Sequence, residues 1–132
     1  MSILGRQISW KVVMAAMLLM IVLALLPVMT FSPSREIRLI AKDMAFYLEN
    51  NSTVPNPIIE LKAGETIHLV FRNQERGILH DFVIPAAHVA TDALHWNEEA
   101  TLTFDAPDTP GTYEYVCRPH LLMMKGTLRV TP

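Results

Sequence analysis

The stretch YEYVCRPHLLMMKGTLRV, residues 113–130, contains the only cysteine of the 132-residue chain. Apolar and polar residues alternate before Cys117 and again in GTLRV, so the stretch predicts two β-strands joined by a short loop. The loop carries His120 and the methionines Met123 and Met124. A thiolate, an imidazole and a thioether form a soft ligand set that suits copper. The stretch therefore indicates a β-rich domain with a metal site beside a strand end.

A trigonal copper site needs one more imidazole, best supplied by a different strand. The run LHDFVIP, residues 79–85, offers His80 at the head of a β-rich segment. Two His and one Cys in a plane, with a weak axial Met, is the pattern of a blue-copper electron-transfer site. The predicted metal ligands are therefore His80, Cys117, His120 and Met124, with Met123 as the alternative axial residue. We expect the remaining histidines, His68, His88 and His95, at the surface.

The rest of residues 32–132 contains further short alternating runs separated by turns. They include REIRLIAKD at 35–43, ETIHLVFRN at 65–73 and TLTFDA at 101–106, and Pro110-Gly111 suits a type II turn. This spacing predicts an all-β domain, a Greek-key β-sandwich or barrel. Residues 86–100 are expected to form one helical turn or a long loop. The predicted core residues are Ile67, Leu69, Phe71, Phe82, Ile84, Leu102 and Phe104.

Through LHDFVIP and YEYVCRPHLLMMKGTLRV the chain resembles the cupredoxins, the blue-copper family of plastocyanin, amicyanin and azurin. The resemblance extends from about Ile37 to Val130. It implies an eight-stranded Greek-key β-sandwich that binds one type 1 copper ion at its loop-rich end and carries single electrons, without being an enzyme. It also implies that the ligand methionine stands two residues before a glycine that opens the last strand, which favours Met124 before Gly126. Ligand loops with two residues between His and Met exist as well, so Met123 stays open.

Two positions depart from the family pattern. Cupredoxins often carry Asn after the first ligand His and Ser or Thr after the Cys, where these residues hydrogen-bond the two ligand loops together. Here the positions hold Asp81 and Arg118. A carboxylate and a guanidinium can make the same connection with charge. We therefore predict a direct contact between Asp81 and Arg118, within about 4 Å.

The N-terminal part has a different character. Every residue from Val12 to Met29 is apolar, and eighteen residues span about 27 Å as a helix, close to the thickness of a bilayer core. The preceding flank has a net charge of +2 from Arg6 and Lys11, and the part after the apolar run has −4. Residues 1–31 are therefore expected to be a cytoplasmic flank and a single transmembrane anchor, with residues 32–132 as a cupredoxin domain on the extracytoplasmic, periplasmic side. Only poor cleavage sites follow the run, which favours a retained anchor over a cleaved signal peptide.

The leading hypothesis is a membrane-tethered carrier of single electrons. Its redox partner stays open among a cytochrome, a quinol-oxidising complex, a terminal oxidase and a reaction centre, and no nucleic-acid partner is expected. The alternative is a copper chaperone or store that binds Cu(I) through Met, His and Cys. A binuclear copper centre needs a second cysteine, and multicopper enzymes need further domains and histidines, so both classes are excluded.

Overall fold

The computed structural model describes residues 9–24 and 34–132. The chain divides into two compact units, Met1–Phe31 and Ser32–Pro132. In the first unit the structure describes one helix, α1 (Trp10–Ala24). Among the described residues, no helix is both long and apolar enough to cross a membrane. The predicted span continues to Met29, and its residues 25–29 lie outside the described ranges, so the anchor stays a prediction.

In residues 34–132, the described part of the second unit, the structure has nine short strands and two single turns of 3₁₀-helix. The strands are β1 (Arg35–Lys42), β2 (Ala45–Leu48), β3 (Ile58–Lys62), β4 (Thr66–Asn73), β5 (Val83–Ile84), β6 (Val89–Ala90), β7 (Glu99–Asp105), β8 (Gly111–Val116) and β9 (Lys125–Thr131). The 3₁₀ turns are Pro85–Ala87 and Arg118–His120, and each contains a proline in its first turn, where a missing N–H costs nothing.

The strands form two sheets, as expected for a β-sandwich. One has the order β2-β1-β4-β7, and the other has the order β3-β9-β8-β5-β6. Neighbouring strands are antiparallel except for β1 with β4 and β3 with β9, which are parallel. Parallel neighbours cannot be joined by a tight hairpin, so the chain crosses between the sheets. The predicted all-β fold with two sheets is confirmed.

The core lies between the sheets, on the inward side of each alternating strand. Six of the seven predicted core residues are buried, and Leu102 is partly buried against them. The centre is an aromatic cluster of Phe46, Phe71, Phe82 and Tyr115, with neighbouring ring centroids 5.3–6.0 Å apart. The Tyr115 hydroxyl donates to the Pro57 carbonyl at 2.6 Å, so this buried polar atom is satisfied.

Two local predictions need correction. His80 does not begin a strand, because β5 starts only at Val83, and His80 instead forms an isolated bridge with Leu94. Residues 86–100, predicted as one helical turn or a loop, contain the end of a 3₁₀ turn, the two-residue strand β6 and the start of β7. Pro85 ends β5 early, since it cannot donate to a ladder, and the chain turns back at His88, whose φ is +53°.

Candidate metal centre

Cys117 follows β8 directly, and the short loop to β9 is closed by its own backbone hydrogen bonds. The Cys117 N–H donates to the Met124 carbonyl at 3.0 Å, and the Met124 N–H donates to the His120 carbonyl at 2.8 Å. The His120 N–H in turn donates to the Cys117 carbonyl at 3.1 Å. These bonds close residues 117–124 into a short loop between β8 and β9.

His80 lies in a second loop, which connects β4 to β5. Its N–H donates to the Leu94 carbonyl at 3.3 Å, and the Leu94 N–H donates back at 2.8 Å. The buried Asn73 side chain joins this loop to its surroundings, because its amide donates to the carbonyls of Ile78 at 2.7 Å and Leu94 at 2.8 Å. The position of His80 is therefore set by its backbone bonds to Leu94 and by the Asn73 side chain, and not by a regular strand.

The two loops bring the three predicted strong ligands together. The Cys117 sulfur lies 3.7 Å from Nδ1 of His80 and 3.5 Å from Nδ1 of His120, and the potential ligand atoms all lie within 4.8 Å of one another. Two ligands of one ion in a trigonal plane are separated by about 3.7 Å when the N and S bond lengths are about 2.0–2.3 Å. The donor set and its spacing therefore fit a single metal ion.

The two methionines differ sharply in burial. The Met124 side chain is fully buried in the core, whereas Met123 is 58% exposed and Leu122 beside it is fully exposed. The Met123 backbone has a role of its own, because its carbonyl accepts a hydrogen bond from the Asn56 side chain at 3.0 Å. This bond connects the ligand loop to the segment that precedes β3.

Burial favours the neutral forms of two of these groups. It raises the pKa of the Cys117 thiol to about 11, against backbone hydrogen bonds that lower it. Burial also lowers the pKa of His80, although the neighbouring Glu75 carboxylate acts in the opposite direction. A metal ligand must be a thiolate or a neutral imidazole, so an ion that binds here displaces the thiol proton.

The predicted contact between Asp81 and Arg118 is confirmed. The Arg118 Nε–H donates to Asp81 Oδ2 at 2.6 Å, and the Arg118 backbone N–H donates to Oδ1 at 2.7 Å. The guanidinium also donates to the Thr91 carbonyl at 3.3 Å. Each of the two residues follows a predicted ligand, so these bonds connect the His80 loop to the Cys117 loop directly.

One neighbour of the site was not predicted. Oε2 of Glu75 lies 2.9 Å from Nε2 of His80. Glu75 occupies the loop after β4, five residues before the histidine, and no periodicity or motif distinguishes it in the sequence from the surface acids. Only the fold brings its carboxylate to the imidazole.

The other histidines are not part of the cluster. His88 and His95 are exposed, and His68 contacts the Thr103 hydroxyl at 3.1 Å on the outer side of its sheet. Trp96 is also exposed, and the Arg76 guanidinium stacks on its ring at 4.0 Å. Within residues 9–24 and 34–132, the one group of three metal-binding side chains is His80, Cys117 and His120.

Solved structures with this fold include several copper proteins. Auracyanin B is 26% identical, with a TM-score of 0.60, over 76% of this chain and 91% of that one. A "blue" copper protein, auracyanin A from Chloroflexus aurantiacus, is 20% identical with a TM-score of 0.59, over 75% and 100% of the two chains. Rusticyanin from Thiobacillus ferrooxidans is 21% identical with a TM-score of 0.59, over 76% and 80%. A comparison with curated protein sequences gives no match.

The family model described as "Cupredoxin-like domain" matches residues 15–130. Cupredoxins of this kind bind one type 1 copper ion, and the cluster of two imidazoles and a thiol suits that cofactor, with the buried Met124 at the end of the same loop. The fold, the donor set and the family match agree, and the chain therefore belongs to the cupredoxin-like family.

Proposed function

We propose that this protein is a membrane-tethered type 1 copper protein that carries single electrons between redox partners outside the cytoplasm. In this proposal His80, Cys117 and His120 would hold the copper ion as strong ligands, and Met124 would be its weak axial ligand. The observation that supports it most directly is the position of the Cys117 sulfur, which lies 3.7 Å from Nδ1 of His80 and 3.5 Å from Nδ1 of His120. Copper supplies the one-electron redox couple when bound.

The burial of the side chains supports Met124 as the axial residue. The Cys117 sulfur and the His80 ring are buried, so a thioether that reaches them has to lie inside the domain, and Met124 is the buried methionine of the loop that carries His120. Met123 is more than half exposed, and its carbonyl is engaged by Asn56.

A rigid site suits electron transfer, because the ligands then move little between the two oxidation states. Cys117, His80 and Met124 are fully buried, and the bonds from Asp81 to Arg118 connect the two ligand loops. His120 is only partly buried, so its ring provides the shortest way from the site to the surface.

The surface around His120 suits brief docking of a redox partner. Leu121, Leu122 and Met123 are 51%, 101% and 58% exposed. Together they form an apolar patch, and such patches on soluble domains mark interaction sites. We propose that electrons enter or leave through the His120 ring at this patch, with a cytochrome, a quinol-oxidising complex, a terminal oxidase or a reaction centre as partner.

The apolar run from Val12 to Met29 supports the tether. Arg6 and Lys11 before it and the net negative charge after it favour a cytoplasmic N-terminus and an extracytoplasmic copper domain. We propose a single-pass protein of the cell membrane, with the copper site on the periplasmic side.

A copper chaperone or store is the second candidate, favoured by the exposed Met123 near the site. The two functions differ in how fast copper leaves. We expect the copper-loaded full-length protein to exchange electrons with a small inorganic oxidant or reductant in stopped-flow, and to keep its copper when an excess of a Cu(I) chelator is added. Rapid loss of copper to the chelator, with no fast electron exchange, would favour the chaperone.

A further inference from the structure

His80 has a carboxylate partner on the side away from the cysteine. Its Nδ1 faces the Cys117 sulfur, and its Nε2 lies 2.9 Å from Oε2 of Glu75. The imidazole is fully buried, and the Glu75 side chain is only 19% exposed. Both ring nitrogens are therefore engaged, one toward the metal position and one toward a charge.

The fold holds the Glu75 carboxylate at this place. The same Oε2 accepts a hydrogen bond from the Met44 N–H at 3.0 Å, in the turn between β1 and β2, where Asp43 and Met44 both have positive φ. The Glu75 backbone N–H donates to the Asn73 side chain at 2.8 Å. A side chain fixed at both ends loses little further freedom when it also contacts the ring.

No Lys or Arg side chain pairs with Glu75 among the described residues. The side-chain carboxylate contacts the Met44 N–H and the His80 ring. The next residue, Arg76, has its guanidinium over the Trp96 ring instead. A carboxylate only accepts hydrogen bonds, so Nε2 must carry the ring proton and Nδ1 must present a lone pair to the metal position.

We propose that Glu75 is a positioning residue for the copper site, which selects the Nε2–H tautomer of His80 and adds a negative charge that favours Cu(II) over Cu(I). A carboxylate behind a ligand histidine orients the ring and makes it a stronger donor. This inference rests on the proposed copper site. The inference concerns how Glu75 tunes that site. It predicts a lower reduction potential than the same site would have if His80 had a neutral partner.

Two substitutions separate charge from hydrogen bonding. Glu75→Gln keeps one oxygen that can accept from both Met44 and His80, so it removes only the charge. Glu75→Ala removes both. Glu114→Gln is the matched control, because Glu114 is an exposed acid of β8 that pairs only with Lys125 among the described residues, at 3.4 Å, and removing it changes the net charge equally.

The measurements are the reduction potential of the copper-loaded full-length protein and the ¹⁵N shifts of His80 in the metal-free protein. We expect the potential to rise in both Glu75 variants and to stay unchanged in the control. The Nε2–H tautomer should persist in Glu75→Gln and should mix with the other tautomer in Glu75→Ala. Copper affinity should fall about 10- to 100-fold in Glu75→Ala.

Failure of this inference is distinct from failure of the proposed function. If the unmodified protein is blue but both Glu75 variants match the control in potential, tautomer and affinity, then the role of Glu75 is overturned and the copper site stands. If the unmodified protein binds no copper, the proposed function fails. The tautomer in the metal-free protein then still decides whether Glu75 orients His80.

Discussion

Asp81 and Arg118 hold the two ligand loops together through a contact that is buried on one side only. The Asp81 side chain is 2% exposed and accepts two hydrogen bonds from Arg118, whereas the Arg118 side chain is 58% exposed. A buried carboxylate without a partner is costly, but a guanidinium at the surface can return to water. The pair is therefore asymmetric, and the two single substitutions should have different effects.

Arg118→Thr should be the more damaging change. It removes the charged partner of the buried Asp81 carboxylate and leaves it only the backbone N–H and the neutral threonine hydroxyl as donors at residue 118, at a cost of about 1–3 kcal/mol in the free energy of unfolding. Asp81→Asn should cost less, because the amide oxygen can still accept the N–H of residue 118. The double variant should lose less than the sum of the two, and it should recover much of the copper affinity and the potential. Denaturant unfolding and voltammetry measure these quantities.

The control for this cycle is the pair of Glu60 and Arg129. It has the same N–O distance of 2.6 Å, but both side chains are more than half exposed. Glu60→Gln should change the stability by less than about 1 kcal/mol and leave the copper properties unaltered. Single variants of Asp81 and Arg118 that behave like this surface pair would contradict the proposed connection between the ligand loops.

Met124→Leu and Met123→Leu should separate the axial ligand from its neighbour. Loss of a weak thioether ligand that favours Cu(II) should raise the reduction potential and leave the site blue. Leucine has nearly the volume of methionine, so the core should lose less than about 1.5 kcal/mol. Met123→Leu should leave the visible spectrum and the potential nearly unchanged, because this side chain is exposed. A larger spectral shift from Met123 would show that Met123 is the axial residue.

Gly126 should be intolerant of even a methyl group. It stands opposite Tyr115 in the β8–β9 pair, and a Cβ there would overlap the tyrosine ring. The ring is anchored by its bond to Pro57 and cannot move away easily. Gly126→Ala should therefore destabilise the domain by about 1–3 kcal/mol in thermal or denaturant unfolding.

Gly111 provides the comparison within the same pair of strands. A Cβ at that position has its nearest neighbour at 3.8 Å, on the Tyr113 ring. Gly111→Ala should therefore change the stability by less than about 1 kcal/mol. Equal effects of the two alanine substitutions would show that the close packing against Tyr115 is not what restricts Gly126.

The anchor hypothesis predicts that the protein sediments with membranes, stays there after an alkaline wash, and begins at or near Met1. Leu18→Arg with Met20→Arg should release it, since each charge at the centre of a span costs about 2.5–3.5 kcal/mol. A mature N-terminus between Thr30 and Glu36 would mean that the segment is a cleaved signal peptide.

The sequence was sufficient for the parts of the fold that depend on alternation and on local motifs. The alternating pattern around Ile67, Leu69 and Phe71 predicted a strand with one buried face, and all three side chains are buried. The loop from Cys117 to Met124 predicted metal ligands because it combines a thiol, an imidazole and thioethers, and the structure brings Cys117 and His120 together with His80. The contact of Asp81 with Arg118 was predicted from the resemblance, because residues at these two positions hydrogen-bond the ligand loops together in cupredoxins.

The parts that failed or were missed depend on contacts distant in sequence. The segment around His80 is β-rich in composition, yet its backbone pairs with Leu94 in a single bridge, so no strand forms there. Glu75 reaches His80 because the β1–β2 turn at Met44 also donates to its carboxylate. The choice between Met123 and Met124 depends on which side of the loop faces the core, and loop composition does not decide that.

The most direct test of the account is the visible spectrum of the full-length protein after addition of one equivalent of Cu(II). We predict an intense thiolate-to-copper charge-transfer band and its complete loss in Cys117→Ser. The circular dichroism of this variant should still show a folded β-sandwich, because most of the core side chains, such as Ile67, Phe71 and Phe82, are not metal ligands. A colourless wild-type protein, or a Cys117→Ser protein that keeps the band, would contradict the assignment of a type 1 copper site.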